Sequence, residues 1–426
     1  MHEDLKSLFL TYAGLDAERA GIAIARSGAK AERFTVGAIA RAAAGFAQAF
    51  AQVGVRAGDR VVIAHATSLE FIGAFWGCHL VSAVPVPTYP AIPGSRVGMG
   101  LARLEGIFRR CRPAALVTLP ILAEVYRGEG LALPPLVTDP VSGADFERFA
   151  AAAPPDARAP ALIQFTSGST SEPKGCVLSH RAVLANTRAV LDAFGEVKGV
   201  VSRQVSWLPM YHDMGLMAGV LFPFLYAAEG HWKSDEEVSV LQPPEEFIVD
   251  PLSWLRLLDE HRANYTFAPN FALQLIARKL AARPESFDLS SLRTLLTGAE
   301  PVDPAVVRAF EGALAPSGLR AGTVRPAWGL AENVVFGTIS PAGMRVDRLS
   351  RRALESEGVA RPCADDSDAV EIPSLGSIHA GGELRVVGDD GTPVRERIVG
   401  EIELRSDSLI DGYYEDPEAT AEVLRD

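Results

Sequence analysis

The sequence has few cysteines and lacks the paired Cys-x-x-Cys spacing that is typical of zinc sites and redox centres. Its 4 cysteines, Cys78, Cys111, Cys176 and Cys363, are scattered along 426 residues. Scattered cysteines are typical of small core side chains. The pattern gives no indication of disulfides or metal ligands, and we assign these thiols no chemistry.

Clustered basic residues, a secretory signal and long apolar runs are also lacking. The 53 acidic residues outnumber the 41 lysines and arginines, and no basic cluster could follow a phosphate backbone, which excludes nucleic acid as a partner. The N-terminus has no basic region followed by an apolar one. The most apolar stretch, 71–87, is interrupted by His79 and prolines and is too short for a bilayer. The sequence therefore predicts a cytoplasmic protein without a membrane span.

What the sequence does contain is an alternation of short apolar runs with helical patterns. A strand at 60–65, an amphipathic helix at 68–81 and a strand at 84–87 predict a βαβ unit. The hydrophobic content of 48% is enough for a sizeable core. We therefore predict an α/β fold of layered, doubly wound sheets. Further strands of the same alternation are expected at 114–118, 161–165, 205–208, 265–268 and 292–296.

The pattern changes towards the end of the chain. Short strands at 383–387 and 401–404, joined by a connection that opens with a turn-rich segment, predict a small β-rich subdomain. Residues 351–373, with an acidic run and few large apolar side chains, are expected to form an inserted loop. We predict an α/β core at 1–380, made of two subdomains that divide near residue 190, and a β-rich subdomain at 381–426.

A hydroxyl- and glycine-rich loop carries the strongest chemical signal. Residues 166–175 read Thr-Ser-Gly-Ser-Thr-Ser-Glu-Pro-Lys-Gly, after a buried strand and before a helix expected near Ser179. The spacing differs from a Walker A loop because Lys174 precedes the closing glycine. An ordinary polar turn is the alternative to phosphate binding. The residues predicted to bind phosphate, through backbone N–H groups, hydroxyls and one positive charge, are Thr166, Ser167, Gly168, Ser169, Thr170, Lys174 and Gly175.

This loop resembles the phosphate-binding signature of the adenylate-forming superfamily. Further matches in the expected order are similar to fatty acyl-AMP ligases, and they span nearly the whole chain. They are Trp-Leu-Pro-Met-Tyr-His-Asp-Met-Gly-Leu at 207–216, Ala-Pro-Asn-Phe-Ala at 268–272, Thr-Gly-Ala-Glu-Pro at 297–301 and Trp-Gly-Leu-Ala-Glu at 328–332.

The resemblance implies roles for individual residues. His212 and Lys174 are the implied catalytic residues, with His212 near the carboxylate and the α-phosphate. Asp213 alone leaves an amino acid substrate open, since aspartate near this place holds the amine in amino-acid-activating relatives. Glu332 and Thr170 are the implied Mg²⁺ ligands. Adenine is expected at Gly298, Ala299, Glu300, Trp328 and Gly329, and the acyl pocket at Trp207, Asn270, Phe271 and Gly215.

The implied reaction is ATP-dependent activation of a fatty acid to acyl-adenylate, followed by transfer to the phosphopantetheine arm of an acyl carrier protein in a polyketide or lipid pathway. The resemblance requires ATP and Mg²⁺ and no covalent enzyme intermediate. The chain ends before the place where relatives carry a ribose-binding aspartate and a mobile C-terminal domain with a catalytic lysine. An excised domain and a piece of a larger synthase both fit this ending. An acyl-CoA ligase and a catalytically silent nucleotide- or acyl-binding module are the alternative functions.

Overall fold

The computed structural model describes residues 2–26, 28–92, 97–166, 173–194, 203–232, 239–341, 343–379 and 381–425. Four of the predicted phosphate-loop residues, Ser167, Gly168, Ser169 and Thr170, lie outside the described residues. The strands are β1 Ala20–Ile24, β2 Glu32–Thr35, β3 Arg60–Ile63, β4 Val84–Pro87, β5 Ala115–Val117, β6 Leu136–Val137, β7 Pro160–Phe165, β8 Gly175–Ser179, β9 Gln204–Ser206, β10 Ser239–Leu241, β11 Tyr265–Pro269, β12 Thr294–Gly298, β13 Val324–Trp328, β14 Thr338–Ile339, β15 Val346–Ser350, β16 Ala369–Pro373, β17 Ser377–Ile378, β18 Gly382–Val387, β19 Glu401–Ser406 and β20 Gly412–Tyr413.

Helices alternate with these strands over most of the chain. Three short turns accompany the helices and strands of the described chain. A π-helical turn at Met217–Leu221 separates two of the helices, and 3₁₀ turns occur at Ala315–Ser317 and Ala331–Asn333. The helices are α1 Leu5–Ala13, α2 Val36–Gln52, α3 Leu69–Leu80, α4 Val97–Cys111, α5 Pro120–Gly128, α6 Phe146–Ala150, α7 His180–Ala193, α8 Asp213–Leu216, α9 Phe222–Ala228, α10 Pro244–Val249, α11 Leu252–Glu260, α12 Asn270–Ala282, α13 Pro304–Leu314, α14 Arg351–Glu357 and α15 Pro417–Val423.

Hydroxyl side chains fix where several helices begin. Thr35, Ser68 and Ser179 precede α2, α3 and α7, and each side-chain oxygen accepts a hydrogen bond from a backbone N–H in the first turn. Such caps satisfy a donor that has no partner within the helix. The predicted helix at 68–81 is therefore confirmed, with Ser68 as its cap.

The largest sheet of the described chain has nine strands in the order β17-β14-β13-β12-β11-β9-β10-β1-β2. Its six central strands, from β13 to β1, are parallel, and the strands at both edges are antiparallel. Strands β11 and β12 are buried along their whole length, as parallel strands covered on both faces should be. The carboxyl ends of β9, β11, β12 and β13 consequently share one edge of the sheet, where α/β folds place ligands.

A second sheet contains β4-β3-β5-β6, all parallel, and includes the predicted βαβ unit. The layered α/β prediction is thus confirmed, with the strand bounds shifted by one or two residues. The division near residue 190 stays a prediction. Strands β1 and β2, which precede it, pair within the large sheet whose other strands follow it.

The environment of the phosphate loop differs from the prediction. The strand expected at 161–165 as part of the parallel alternation instead pairs antiparallel with β8, in a three-stranded sheet of order β20-β8-β7. The expected helix does begin at His180, but β8 separates it from the loop. Alternate positions Cys176 and Leu178 are fully buried, so this segment gains more from burial as a strand than as an exposed turn. The loop therefore connects the two strands of a hairpin.

Residues 351–373 do not form the expected loop. Ser350 caps helix α14 through a 3.0 Å hydrogen bond from Ala353 N, and Gly358, at φ +64°, ends it. Strand β16 then pairs antiparallel with β15. The hairpin of β18 and β19 confirms the two strands predicted near the end of the chain, while the boundaries of a separate subdomain stay a prediction.

Two clusters of buried apolar residues form the core. The larger lies around the nine-stranded sheet and helices α1, α2, α3 and α7, and the smaller lies between the four-stranded sheet and helix α4. All four cysteines are free, and three of them are buried. Within the described part of the chain, no helix combines the length and the apolar character needed to cross a membrane.

Candidate active site

A cavity of about 510 Å³ lies at the carboxyl edge of the large sheet, beside the start of the phosphate loop. It brings together side chains from β4, α4, β7, α8 and the ends of β12 and β13. We call it the polar cavity, because Arg103, Asp213 and Glu332 all contribute to its wall. Its lining residues are Pro87, Thr88, Tyr89, Arg103, Gln164, Phe165, Thr166, Tyr211, His212, Asp213, Met214, Gly298, Ala299, Ala327, Trp328, Gly329, Ala331, Glu332, Val335 and Phe336.

The ends of strands β12 and β13 form one wall of the polar cavity. Gly298, Ala299, Trp328 and Gly329, four of the five residues expected near adenine, lie here. A side chain at Gly298 would place its Cβ 2.5 Å from the carbonyl oxygen of Ala327, so this position requires glycine. Ala299 has φ +66°, a left-handed conformation that turns the chain sharply away from the strand. Gly298 and Trp328, at the ends of these two strands, both line the cavity.

Glu332 lies in a short 3₁₀ turn on the same wall. Its Oε1 accepts a 2.6 Å hydrogen bond from the hydroxyl of Tyr413, and its backbone carbonyl accepts one of 2.9 Å from Ile410 N. In the described part of the chain, no three His, Cys, Asp or Glu side chains converge as metal ligands. Magnesium in nucleotide sites is held by one or two carboxylates together with phosphate oxygens, so the single carboxylate of Glu332 fits that need.

A backbone hydrogen bond joins the two ends of the phosphate loop. Thr166 N donates a 2.9 Å hydrogen bond to the carbonyl of Lys174, and Thr166 lines the polar cavity. The Nζ of Lys174 lies 5.0 Å from the ring centre of Tyr413 and 4.0 Å from Oε2 of Glu422. Neither Lys174 nor Gly175 lines the polar cavity, so the ammonium group of Lys174 lies outside it.

His212 and Asp213 line the polar cavity at the start of helix α8. The Nδ1 of His212 is 2.6 Å from Oδ1 of Asp213. Burial lowers the pKa of His212, but the hydrogen bond to Asp213 and the charge of that carboxylate outweigh it, and the pKa is raised above its usual value. The imidazole is about half exposed, and it faces the cavity with a proton held on the Asp213 side.

Two polar residues of this cavity, Arg103 and Gln164, were missed by sequence reasoning. The guanidinium of Arg103 donates hydrogen bonds of 3.3 Å to the carbonyls of Phe165 and Thr166, and its buried Nε has no hydrogen-bond partner. Gln164 donates from Nε2 to the carbonyl of Tyr211 at 2.9 Å. An arginine within an amphipathic helix has no local signal. The hint in the sequence was the apolar strand before the loop, because the backbone carbonyls at its end need hydrogen-bond donors.

A second cavity, of about 620 Å³, adjoins the first and is mostly apolar. The two share Tyr211, His212, Met214 and Ala299. Two of the residues expected in the acyl pocket, Trp207 and Phe271, are part of its wall. We call it the apolar cavity. Its lining residues are Trp207, Leu208, Pro209, Tyr211, His212, Met214, Pro244, Glu245, Ile248, Val249, Pro269, Phe271, Ala299 and Glu300.

Gly215 and Asn270, both expected in the acyl pocket, support the walls without lining either cavity. A side chain at Gly215 would place its Cβ 1.9 Å from the carbonyl oxygen of Pro209, so this glycine permits close packing of α8. Oδ1 of Asn270 accepts a 3.3 Å hydrogen bond from Asp303 N. Glu300, expected near adenine, lines the apolar cavity and accepts a 2.6 Å hydrogen bond from Phe271 N at the start of α12. These contacts orient the strand ends that surround both cavities.

Comparison with known proteins identifies the family to which the chain belongs. Residues 16–414 match the AMP-binding enzyme family. The chain is 33% identical over 377 residues to 4-hydroxyphenylalkanoate adenylyltransferase of Mycobacterium marinum, a match that covers 85% of this chain and 58% of that protein. It is 29% identical over 375 residues to the long-chain-fatty-acid–AMP ligase FadD23 of Mycobacterium tuberculosis, covering 85% and 62%. The chain thus corresponds to 58% and 62% of these relatives' lengths.

Solved structures share the fold over almost the whole chain. A structure from studies of fatty acyl-adenylate ligases from E. coli and L. pneumophila is 29% identical, with a TM-score of 0.83, and the match covers 99% of this chain and 75% of that one. A fatty acyl-adenylate ligase from L. pneumophila in complex with acyl adenylate and pyrophosphate is 25% identical, with a TM-score of 0.86 and coverage of 99% and 71%. These findings confirm the resemblance seen in the sequence, and the chain belongs to the AMP-binding enzyme family of the adenylate-forming superfamily.

Proposed function

We propose that this chain is the nucleotide- and acyl-binding part of an enzyme that joins a fatty acid to AMP and releases pyrophosphate. The observation that carries the proposal is the junction of a polar and an apolar cavity at His212 and Ala299. An acyl chain in the apolar cavity would present its carboxylate at this junction. A nucleotide in the polar cavity would present its α-phosphate at the same place.

The polar cavity offers partners for the adenine and the phosphates of ATP. The indole of Trp328 and the backbone of Gly298 provide a flat surface for adenine. Thr166 and the loop that it opens would bind the phosphates, with the positive charge of Arg103 beside them, since its guanidinium contacts the carbonyl of Thr166. Glu332 would hold Mg²⁺, which neutralises phosphate charge and polarises the phosphorus–oxygen bonds when it is bound. The cofactors of the proposed reaction are therefore ATP and Mg²⁺.

The proposed chemistry is attack of the fatty acid carboxylate on the α-phosphorus, with pyrophosphate as the leaving group. No side chain forms a covalent intermediate, because the substrate supplies the nucleophile. His212, held by Asp213, would donate a hydrogen bond that keeps the carboxylate and the α-phosphate in line. Lys174 would contribute its charge after leaving the ring of Tyr413. Positioning and charge neutralisation thus account for catalysis.

We propose an acyl carrier protein, through its phosphopantetheine arm, as the acceptor in a polyketide or lipid pathway, and the cytoplasm as the location. The support is the similarity to FadD23 and to the acyl-adenylate ligases. The aromatic residues Trp207, Tyr211 and Phe271 in the apolar cavity favour hydroxyphenylalkanoates as a second substrate class, which the M. marinum relative's name specifies for that protein.

Product analysis by mass spectrometry tests the proposal. The full-length protein would be incubated with ATP, Mg²⁺ and a panel of fatty acids and 4-hydroxyphenylalkanoates, with CoA or a holo acyl carrier protein as acceptor. We expect acyl-AMP and acyl-carrier protein without acyl-CoA. Acyl-CoA would assign the chain to the CoA ligases, and an absence of adenylate with every acid would favour a binding module.

A further inference from the structure

Tyr413 contacts two residues to which the proposed function gives separate roles. Its hydroxyl donates a 2.6 Å hydrogen bond to Oε1 of Glu332, and its ring centre lies 5.0 Å from Nζ of Lys174. These contacts involve different parts of one side chain, the hydroxyl and the π face. Through Tyr413, the candidate metal ligand is therefore tied to the last charged residue of the phosphate loop.

The backbone holds Tyr413 firmly in this position. Strand β20 pairs with β8 directly after the phosphate loop, with Tyr413 opposite Cys176. Tyr413 N donates a 2.9 Å hydrogen bond to Oγ1 of Thr420, and Tyr414 N donates one of 2.7 Å to the carbonyl of Gly175. The tyrosine is only 7% exposed. A buried side chain on a paired strand cannot change direction freely, so the hydroxyl is a fixed donor.

We propose that Tyr413 is a positioning residue that orients the carboxylate of Glu332 towards a metal-bound nucleotide and couples it to the phosphate loop. The inference rests on the metal role that the proposed function gives to Glu332. A carboxylate has two oxygens, and a hydrogen bond to Oε1 fixes the direction in which Oε2 presents its lone pairs. Partners of this kind around metal ligands typically change metal affinity or activity by about 10- to 100-fold when they are removed.

The chemistry of the two groups supports this role. The carboxylate of Glu332 can only accept, so the phenolic O–H of Tyr413 is the donor of this 2.6 Å hydrogen bond. Binding of ATP would attract Lys174 away from the ring, while the hydrogen bond to Glu332 would remain.

The next residue provides a matched control. Tyr414 projects to the other side of the strand, where it packs against the smaller core cluster and lies 5.9 Å from the guanidinium of Arg60. Tyr413→Phe and Tyr414→Phe each remove one hydroxyl and keep the ring. The affinity of the full-length protein for ATP would be measured by calorimetry with and without Mg²⁺, and melting temperatures would confirm that both variants fold.

In the wild type, Mg²⁺ should increase the affinity for ATP. We expect Tyr413→Phe to reduce this increase roughly 10-fold or more, and to leave the affinity for metal-free ATP unchanged. Tyr414→Phe should match the wild type in both. If Mg²⁺ increases ATP affinity equally in Tyr413→Phe and Tyr414→Phe, but no longer does so in Glu332→Gln, the inference is overturned and the proposed function remains intact. An unchanged Mg²⁺ effect in Glu332→Gln would overturn the metal assignment itself, and the role of Tyr413 with it.

Discussion

The imidazole Nδ1 of His212 and the carboxylate Oδ1 of Asp213 are 2.6 Å apart at the junction of the two cavities. The contact raises the pKa of His212 although burial acts in the opposite direction. It also fixes the direction of the ring, since the carboxylate accepts a hydrogen bond from Nδ1–H and leaves Nε2 for other partners. In this arrangement Asp213 is engaged by His212, which disfavours it as a partner for a substrate amine.

Replacing Asp213 with asparagine should lower the pKa of His212 below its usual value, because burial and the charge of Arg103 then act without an opposing carboxylate. Since the folded protein binds this proton more tightly than the unfolded chain, the pair stabilises the fold below the unfolded pKa of about 6.5 and loses this effect as the pH rises through the raised pKa. Asp213→Asn should therefore destabilise the protein more at about pH 5.5 than at about pH 8. NMR titration of His212 and urea unfolding at both pH values would measure this. An unchanged His212 pKa would contradict the assigned cause.

Replacing Trp328 with alanine should weaken ATP binding. Stacking of a base on an aromatic side chain contributes about 1–3 kcal/mol, so we expect the KM for ATP to rise roughly 10-fold or more. Trp328→Phe should recover most of the loss, and the KM for the fatty acid should change little in either variant. Steady-state kinetics with ATP varied would test this, and an equal rise in both KM values would indicate a general distortion of the site.

Replacing Arg103 with glutamine should reduce kcat/KM for ATP. Loss of a hydrogen-bonding charged group typically costs about 1.5–3 kcal/mol, which corresponds to a reduction of roughly 10- to 100-fold. Arg103→Lys should recover only part of this, because one ammonium group cannot reproduce the planar contacts to the carbonyls of Phe165 and Thr166.

Arg109→Gln, an exposed position on the same helix, is the matched control for this loss of charge. It should behave like the wild type. If Arg103→Gln and Arg109→Gln have the same kinetics, then Arg103 has no part in nucleotide binding.

Replacing Ile248 with aspartate should impair the use of long fatty acids. Ile248 and Val249 are 64% and 81% exposed although they line the apolar cavity, so they form its rim. Each buried methylene of a substrate contributes about 0.8 kcal/mol, and a charge at the rim should raise KM more for longer chains than for short ones. The control Ile121→Asp lies on α5 and is 61% exposed, outside the lining of both cavities. A chain-length series of KM values distinguishes the variants, and the same KM ratio at every length would contradict the acyl role.

Much of the fold was predictable because parallel strands have a strong local signal. Strands β11 and β12 are continuous buried runs, and their carboxyl ends carry the motifs at 268–272 and 297–301. Since parallel strands share one edge, those motifs had to converge. Strand β8 was missed because its 5 residues lie between the loop and the helix expected after it, and so short a run gives little local signal. It pairs with β7 across the loop, and its other partner, β20, lies far along the chain.

The site was predictable where a motif follows a strand and unpredictable elsewhere. Trp328 and Glu332 could be found from their motif, and the structure places both on the wall of the polar cavity. Arg103 reaches the cavity only because α4 packs beside β7, and Tyr413 reaches Glu332 only through β20. Asn270 was expected in the acyl pocket, but its amide satisfies a backbone donor, Asp303 N. Such choices depend on tertiary packing.

The most direct test of the account is exchange of labelled pyrophosphate into ATP by the full-length protein with a fatty acid present. Exchange requires reversible formation of acyl-adenylate at the junction of the two cavities. We predict exchange that depends on both the fatty acid and Mg²⁺, and that falls sharply in His212→Asn. A protein that binds ATP and the fatty acid but supports no exchange would contradict the account.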